Sequence, residues 1–112
     1  MVWQKAMQLV KMVYLLVREL PKDETFALSS QMRRAAVSIP SNIAEGQERN
    51  STKEFIQFLS IAKGSKAELQ TQLQICVDIG YFSYTEIKDA MELSEEVSKM
   101  LAALINKLAT GH

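Results

Sequence analysis

Apolar side chains recur along most of this chain at steps of three and four residues, the spacing that places them on one face of an α-helix. The first run, Trp3, Met7, Val10, Val13 or Tyr14, Val17 and Leu20, predicts a helix from Val2 to Leu20, which Pro21 ends. Turn residues follow in Pro21-Lys22-Asp23-Glu24-Thr25, and Thr25 or Ser29 is placed to cap the next helix. There Met32, Ala36, Ile39, Ile43 and Gly46 hold one helical face straight through Pro40. Two unrelated helices would have no reason to share that register, so the spacing predicts one proline-kinked helix from Phe26 to Gln47. A proline in a regular helix costs about 3 kcal/mol, because it lacks an N–H and crowds the carbonyl four residues back. Ser38, Ser41 and Asn42 surround Pro40 with short polar side chains able to bond freed backbone groups.

Gly46 to Ser51 breaks the pattern, and Ser51-Thr52-Lys53-Glu54 has the form of a capping box that starts a third helix. Its apolar spacing takes in Phe55, Phe58, Ala62, Ser65, Leu69, Gln72, Cys76 and Ile79. Ser60, Gly64, Ser65 and Ala67 are small, which predicts close approach of a neighbouring helix there. Gly80 is placed to end the helix in a left-handed conformation. Ser83-Tyr84-Thr85-Glu86 offers a second capping box, and Ile87, Ala90, Ser94, Val97, Leu101, Leu104 and Leu108 mark the core face of a fourth helix. Leu93, Met100 and Ile105 widen that face. Four long helices with short loops predict an all-α, antiparallel up-down-up-down four-helix bundle.

Composition agrees with a single domain, residues 1–112: 47% hydrophobic and 23% charged residues describe a globular chain, not a disordered one. Cys76 is the only cysteine, so no internal disulfide can form, and a reducing, cytoplasmic setting is expected. Lys5, Gln8, Lys11 and Arg18 interrupt the apolar start and leave no run for a signal peptide or a membrane span.

The same inventory argues against an enzyme. A di-metal bundle site needs Glu-x-x-His pairs, yet the sole histidine is His112. Cys76 falls on an apolar stripe with no histidine partner, as a buried structural thiol would. No glycine-rich phosphate loop is present, since Gly64-Ser65-Lys66 lacks the required spacing. No carboxylate pair is marked for acid/base work, and no cofactor or metal is expected.

Charge is unevenly spread along the chain. The net charge is zero, but residues 1–66 hold ten Lys/Arg against six Asp/Glu, and residues 67–112 hold three against seven, leaving about +4 and −4. The halves can neutralise one another inside the bundle or leave a basic and an acidic face. On the second helix Gln31, Arg34, Ser38, Ser41 and Glu45 form a polar stripe flanked by Arg33 and Val37. That stripe is a solvated face, a subunit contact or a phosphate site. Arg18 and Lys22 precede it, and Arg49, Lys53, Lys63 and Lys66 follow. Candidate nucleic-acid contacts are therefore Arg33, Arg34, Arg49, Lys53, Lys63 and Lys66, although no aromatic platform alternates with them along the sequence. Surplus apolar surface at Trp3, at Val37 and on the fourth helix is expected to meet other subunits.

The stretch from Phe26 to Phe82 strongly resembles the four-helix bundle proteins named after intervening sequences in bacterial 23S rRNA genes. Its most specific elements are Gln31-Met32-Arg33-Arg34-Ala35, Ser38-Ile39-Pro40-Ser41-Asn42-Ile43-Ala44-Glu45-Gly46, Lys53-Glu54-Phe55, and Ala62-Lys63-Gly64-Ser65 before Glu68-Leu69. The opening Val2-Trp3-Gln4-Lys5-Ala6-Met7-Gln8-Leu9-Val10 also fits that family's first helix. The resemblance implies an antiparallel four-helix bundle assembling as a homopentameric ring. It also brings in the related accessory variability determinants of diversity-generating retroelements, which implies RNA or DNA, and a reverse transcriptase, as partners.

Overall fold

The computed structural model describes residues 1–111 and is helical throughout: α1 (Val2–Val17), a short 3-10 turn (Lys22–Glu24), α2 (Leu28–Gln47), α3 (Thr52–Asp78) and α4 (Tyr84–Thr110). His112 lies outside the described residues. Each helix packs on the next in sequence, and α4 closes back on α1, which gives a four-helix bundle measuring 48 × 25 × 19 Å.

The helix boundaries follow from local chemistry. α1 stops at Val17, earlier than Leu20, because Glu19 N–H bonds Leu16 and Leu20 N–H bonds Val17 in a tightened final turn. α2 starts at Leu28, not Phe26, and neither Thr25 nor Ser29 caps it. Glu24 Oε1 instead accepts from Leu28 N–H at 3.4 Å, while Ser29 is buried. Ser51 Oγ accepts from Glu54 N–H at 3.1 Å, and Ser83 and Glu86 form a complete reciprocal capping box. Gly80 has φ +87°, the left-handed position that L side chains resist. Tyr81 N–H reaches Cys76 O and Gly80 N–H reaches Val77 O, the two bonds of a Schellman ending.

α2 runs unbroken across Pro40. Asn42 Nδ2 donates to Ser38 O at 2.8 Å and to Ser38 Oγ at 2.9 Å, and Ser38 Oγ meets Ser65 Oγ of α3 at 2.7 Å. Ser38 and Asn42 thus bond one another beside the proline and tie α2 to α3, but none of these bonds reaches the Ala36 carbonyl, the group that Pro40 leaves without its helical donor. Ser41 is exposed and takes no part in them.

The core holds Met32, Ala36, Ile39 and Ile43 of α2 and Ile87, Val97 and Leu101 of α4, as their spacing predicts. On α1 the predicted stripe is buried at Val13, Val17 and Leu20, but its amino-terminal part, Trp3 and Met7, is rotated outward. Ala6, Leu9, Val13 and Val17 are buried, whereas Trp3, Met7 and Tyr14 are 39%, 44% and 41% exposed. α1 is apolar around most of its circumference and must face both α2 and α4, so the stripe centred between those neighbours is the one that goes inside. On α3, Leu59 and Leu73 fill the core, and Ile79 lies outside it, beyond the helix end. Gly64 does not mark the close approach: a Cβ there would meet nothing within 4 Å. The tight crossing is at Gly46, where a Cβ would stand 2.8 Å from Phe58 Cβ and 2.9 Å from Phe55 Cδ1.

Candidate binding grooves beside the first helix

The rotation of α1 decides what the surface offers. With Leu9 and Val13 turned inward, Trp3, Met7 and Tyr14 are left along the seam with α2, where Val37, Pro40 and Ala44 face them. The lower part of this groove, lined by Trp3, Met7, Val10, Val37, Pro40, Ser41 and Ala44, contains no charged side chain. Its upper part is cationic: Tyr14 shares one depression with Arg33 and Arg34 and the next with Arg18, Lys22 and Arg33. No carboxylate lines either depression. An aromatic ring beside guanidinium groups supplies stacking and phosphate contacts together.

The six cations expected to contact nucleic acid do not converge. Arg33 and Arg34 lie in the α1–α2 groove. Arg49, past the end of α2, donates to Glu45 Oε2 at 2.7 Å and stands 4.6 Å over the Phe58 ring, clamping α2 to α3. Lys53 is exposed in the first turn of α3. Lys66 Nζ donates to Gln70 Oε1 at 3.3 Å, and Gln70 Nε2 bridges to Ser94 Oγ and Glu95 Oε1, which puts Lys66 on the flank of α3 toward α4. Lys63, nearly one turn earlier, lies on the same side. The structure gathers Arg18 and Lys22 with Arg33 instead, and adds Tyr14, which spacing offered only as a second choice to Val13. The available signal was the excess of apolar positions on α1: more than one buried face can use, so some must line the surface.

The remaining motif residues are structural. Ser38 and Asn42 form the inter-helix network, Pro40 packs against α1, and Gly46 permits the α2–α3 crossing. Leu93 is buried within the bundle, and Ile105 is partly buried against its core. Cys76 is fully buried with Sγ 3.7 Å from Met32 Sδ, and burial, helped by the Glu24 carboxylate, pushes its thiol up to about 11. At the top of the bundle Tyr81 Oη donates to Glu24 Oε2 at 2.6 Å, a bond that raises the phenol's pKa. Among the described residues no cluster of His, Cys, Asp and Glu could hold a metal ion, and no helix is long and apolar enough to cross a membrane.

The family model described as 23S rRNA-intervening sequence protein matches residues 1–103. The fold superposes, with a TM-score of 0.87, on the crystal structure of a protein of unknown function from the S23 ribosomal protein family of Bacteroides thetaiotaomicron. That protein is 25% identical, and the match covers 94% of this chain and 98% of that one. No curated protein matches the chain.

Proposed function

This chain belongs to the 23S rRNA-intervening sequence protein family, and from that premise we propose that it is a non-enzymatic, homo-oligomeric binding module that takes RNA or DNA along its α1–α2 groove. The carrying observation is the exposed Tyr14 ring beside Arg33 and Arg34 in a stretch of groove that no carboxylate lines. Net neutrality does not oppose this, because phosphates respond to the local field of the groove, whose two depressions no carboxylate lines. Arg49, Lys53, Lys63 and Lys66 would then act, at most, as outlying contacts.

Arg18, Lys22, Arg33 and Arg34 can neutralise about four phosphates. On a single strand that predicts a log–log salt slope near −3, or roughly 50-fold weaker binding between about 50 and 200 mM salt. Fluorescence anisotropy with labelled single-stranded RNA measures this directly. Arg33→Glu should weaken binding and flatten the slope while leaving the helical circular dichroism unchanged. Salt-independent binding, or none at low salt, contradicts the proposal.

The uncharged lower groove favours a second reading: a protein-interaction scaffold, or an accessory subunit of a reverse transcriptase, without nucleic-acid affinity of its own. In either reading the chain is a homo-oligomer, and the assembly inferred from family resemblance is a ring of five. Sedimentation at micromolar concentration should then report five times the 12.6 kDa chain mass. A monomer that persists across concentration would overturn the oligomer.

A further inference from the structure

The other side of α1 carries a second groove with the opposite charge. Met12, Leu15, Leu16, Phe82 and Ala90 form an apolar depression of about 280 Å³ between α1 and α4, and Glu19, Glu86 and Asp89 rim it. Leu15 is 52% exposed, large for a leucine with apolar neighbours on both helices. No cation lines the depression. Lys5, lower on the same seam, is already paired with Glu96 at 3.3 Å. Glu86 Oε1 accepts from Ser83 N–H in the α4 capping box, which leaves Glu19 and Asp89 as the unengaged carboxylates of the rim.

We propose that this α1–α4 groove docks a short cationic amphipathic helix of a partner protein, with a leucine-sized side chain seated beside Leu15 and Leu16 and Lys or Arg facing Glu19 and Asp89. Charge complementarity selects the sign of the partner, and shape selects its form. A groove takes a convex ridge, so the cationic patch of a second copy is a poor occupant: Arg18, Lys22 and Arg33 line a concave surface. The α1 segment from Met12 to Glu19 spans about two helical turns, roughly 10 Å, which matches two apolar anchors at a spacing of three or four residues. Alanine at position 90 provides the depth, since a larger side chain there would fill the depression. This face shares no lining residue with the α1–α2 groove, so docking here is independent of phosphate binding there.

The test is fluorescence anisotropy of the full chain with a labelled 14-residue Leu/Lys amphipathic peptide at low salt. Wild-type protein should bind it. Leu15→Asp combined with Asp89→Lys should weaken binding at least about tenfold, the size expected for removing an apolar anchor and reversing a rim charge. Leu15 and Asp89 are both exposed, so circular dichroism should be unchanged. Glu92→Lys, on the outer face of α4, and Arg33→Glu, in the other groove, should bind as wild type. A Leu/Glu peptide of the same pattern should not bind. Failure of the wild type to bind, equal binding by the double variant, or equal loss in Glu92→Lys overturns the proposal. So does an oligomer that Leu15→Asp dissolves, because the groove would then belong to a second copy.

Discussion

Two glycines inside helices of this protein should respond in opposite directions to the same substitution. Replacing Gly46 by Ala puts a methyl group 2.8 Å from Phe58 Cβ and 2.9 Å from Phe55 Cδ1, with the Phe55 carbonyl at 3.4 Å. The Phe55 ring can turn aside, but Phe58 Cβ is fixed one bond from the α3 backbone. Restoring an ordinary carbon–carbon separation of about 3.5 Å therefore requires α3 itself to move by roughly half an ångström or more. Overpacking of this kind costs about 1–3 kcal/mol, and the gain in helix propensity returns about 0.5–1 kcal/mol. Gly46→Ala should destabilise the fold by about 1–2 kcal/mol, a fall in Tm of roughly 4–8 °C for a domain of this size. Gly64→Ala meets nothing within 4 Å on an exposed helix face, so it should stabilise by about 0.5–1 kcal/mol through propensity alone. Urea denaturation followed by far-UV circular dichroism, with all proteins at one protomer concentration, gives both values. A Gly46→Ala protein as stable as wild type, or two glycine variants shifting the same way, would refute the close α2–α3 crossing.

Other expectations follow from the buried polar and thiol groups. Ser38→Ala removes the shared partner of Asn42 and of the nearly buried Ser65, and should cost about 1–3 kcal/mol in the same denaturation assay; Ser38→Ala with Ser65→Ala should cost less than the sum of the single changes, because no hydroxyl is left stranded. Cys76, with its thiol raised from 9.0 to about 11, should react with a disulfide reagent only through opening of the fold, so its modification rate should rise with urea in step with unfolding. The same shift has a pH consequence. A group protonated more tightly in the folded state contributes stability fully present below its unfolded pKa and lost through its folded one, so the Cys76 contribution should fade between about pH 9 and 11, and Cys76→Ala should remove it.

Much of this fold was legible because the residues concerned act locally. Ser51, Ser83 and Gly80 cap or end their helices through bonds to residues three to five positions away, distances that a sequence displays directly. The register of Met32, Ile39 and Ile43 across Pro40 likewise needed only helical spacing. What spacing could not resolve was orientation where a helix is apolar on several sides. Trp3 and Met7 lie on as regular a helical stripe as Ala6 and Leu9, and only the positions of α2 and α4 decide which is buried. The same limit hid the close crossing, since Gly46 and Gly64 look alike until the facing helix supplies Phe55 and Phe58. It hid the groove as well. Tyr14 and Arg33 are far apart in the sequence, so no local pattern joins the aromatic ring to the cations. Cations that looked equivalent also differ in their partners: Arg49 bonds Glu45 one turn back and lies over Phe58 of α3, whereas Lys66 bonds Gln70 one turn on.

The most direct test of the α1–α2 groove as the binding face is a backbone-amide NMR titration of the isotopically labelled protein with single-stranded RNA. The predicted result is chemical-shift change concentrated at Tyr14, Arg18, Ser30, Arg33, Arg34 and Val37, with α4 from Glu92 to Lys99 unmoved. A spectrum unchanged by RNA at low salt, or shifts centred on Lys53, Lys63 and Lys66, would contradict it.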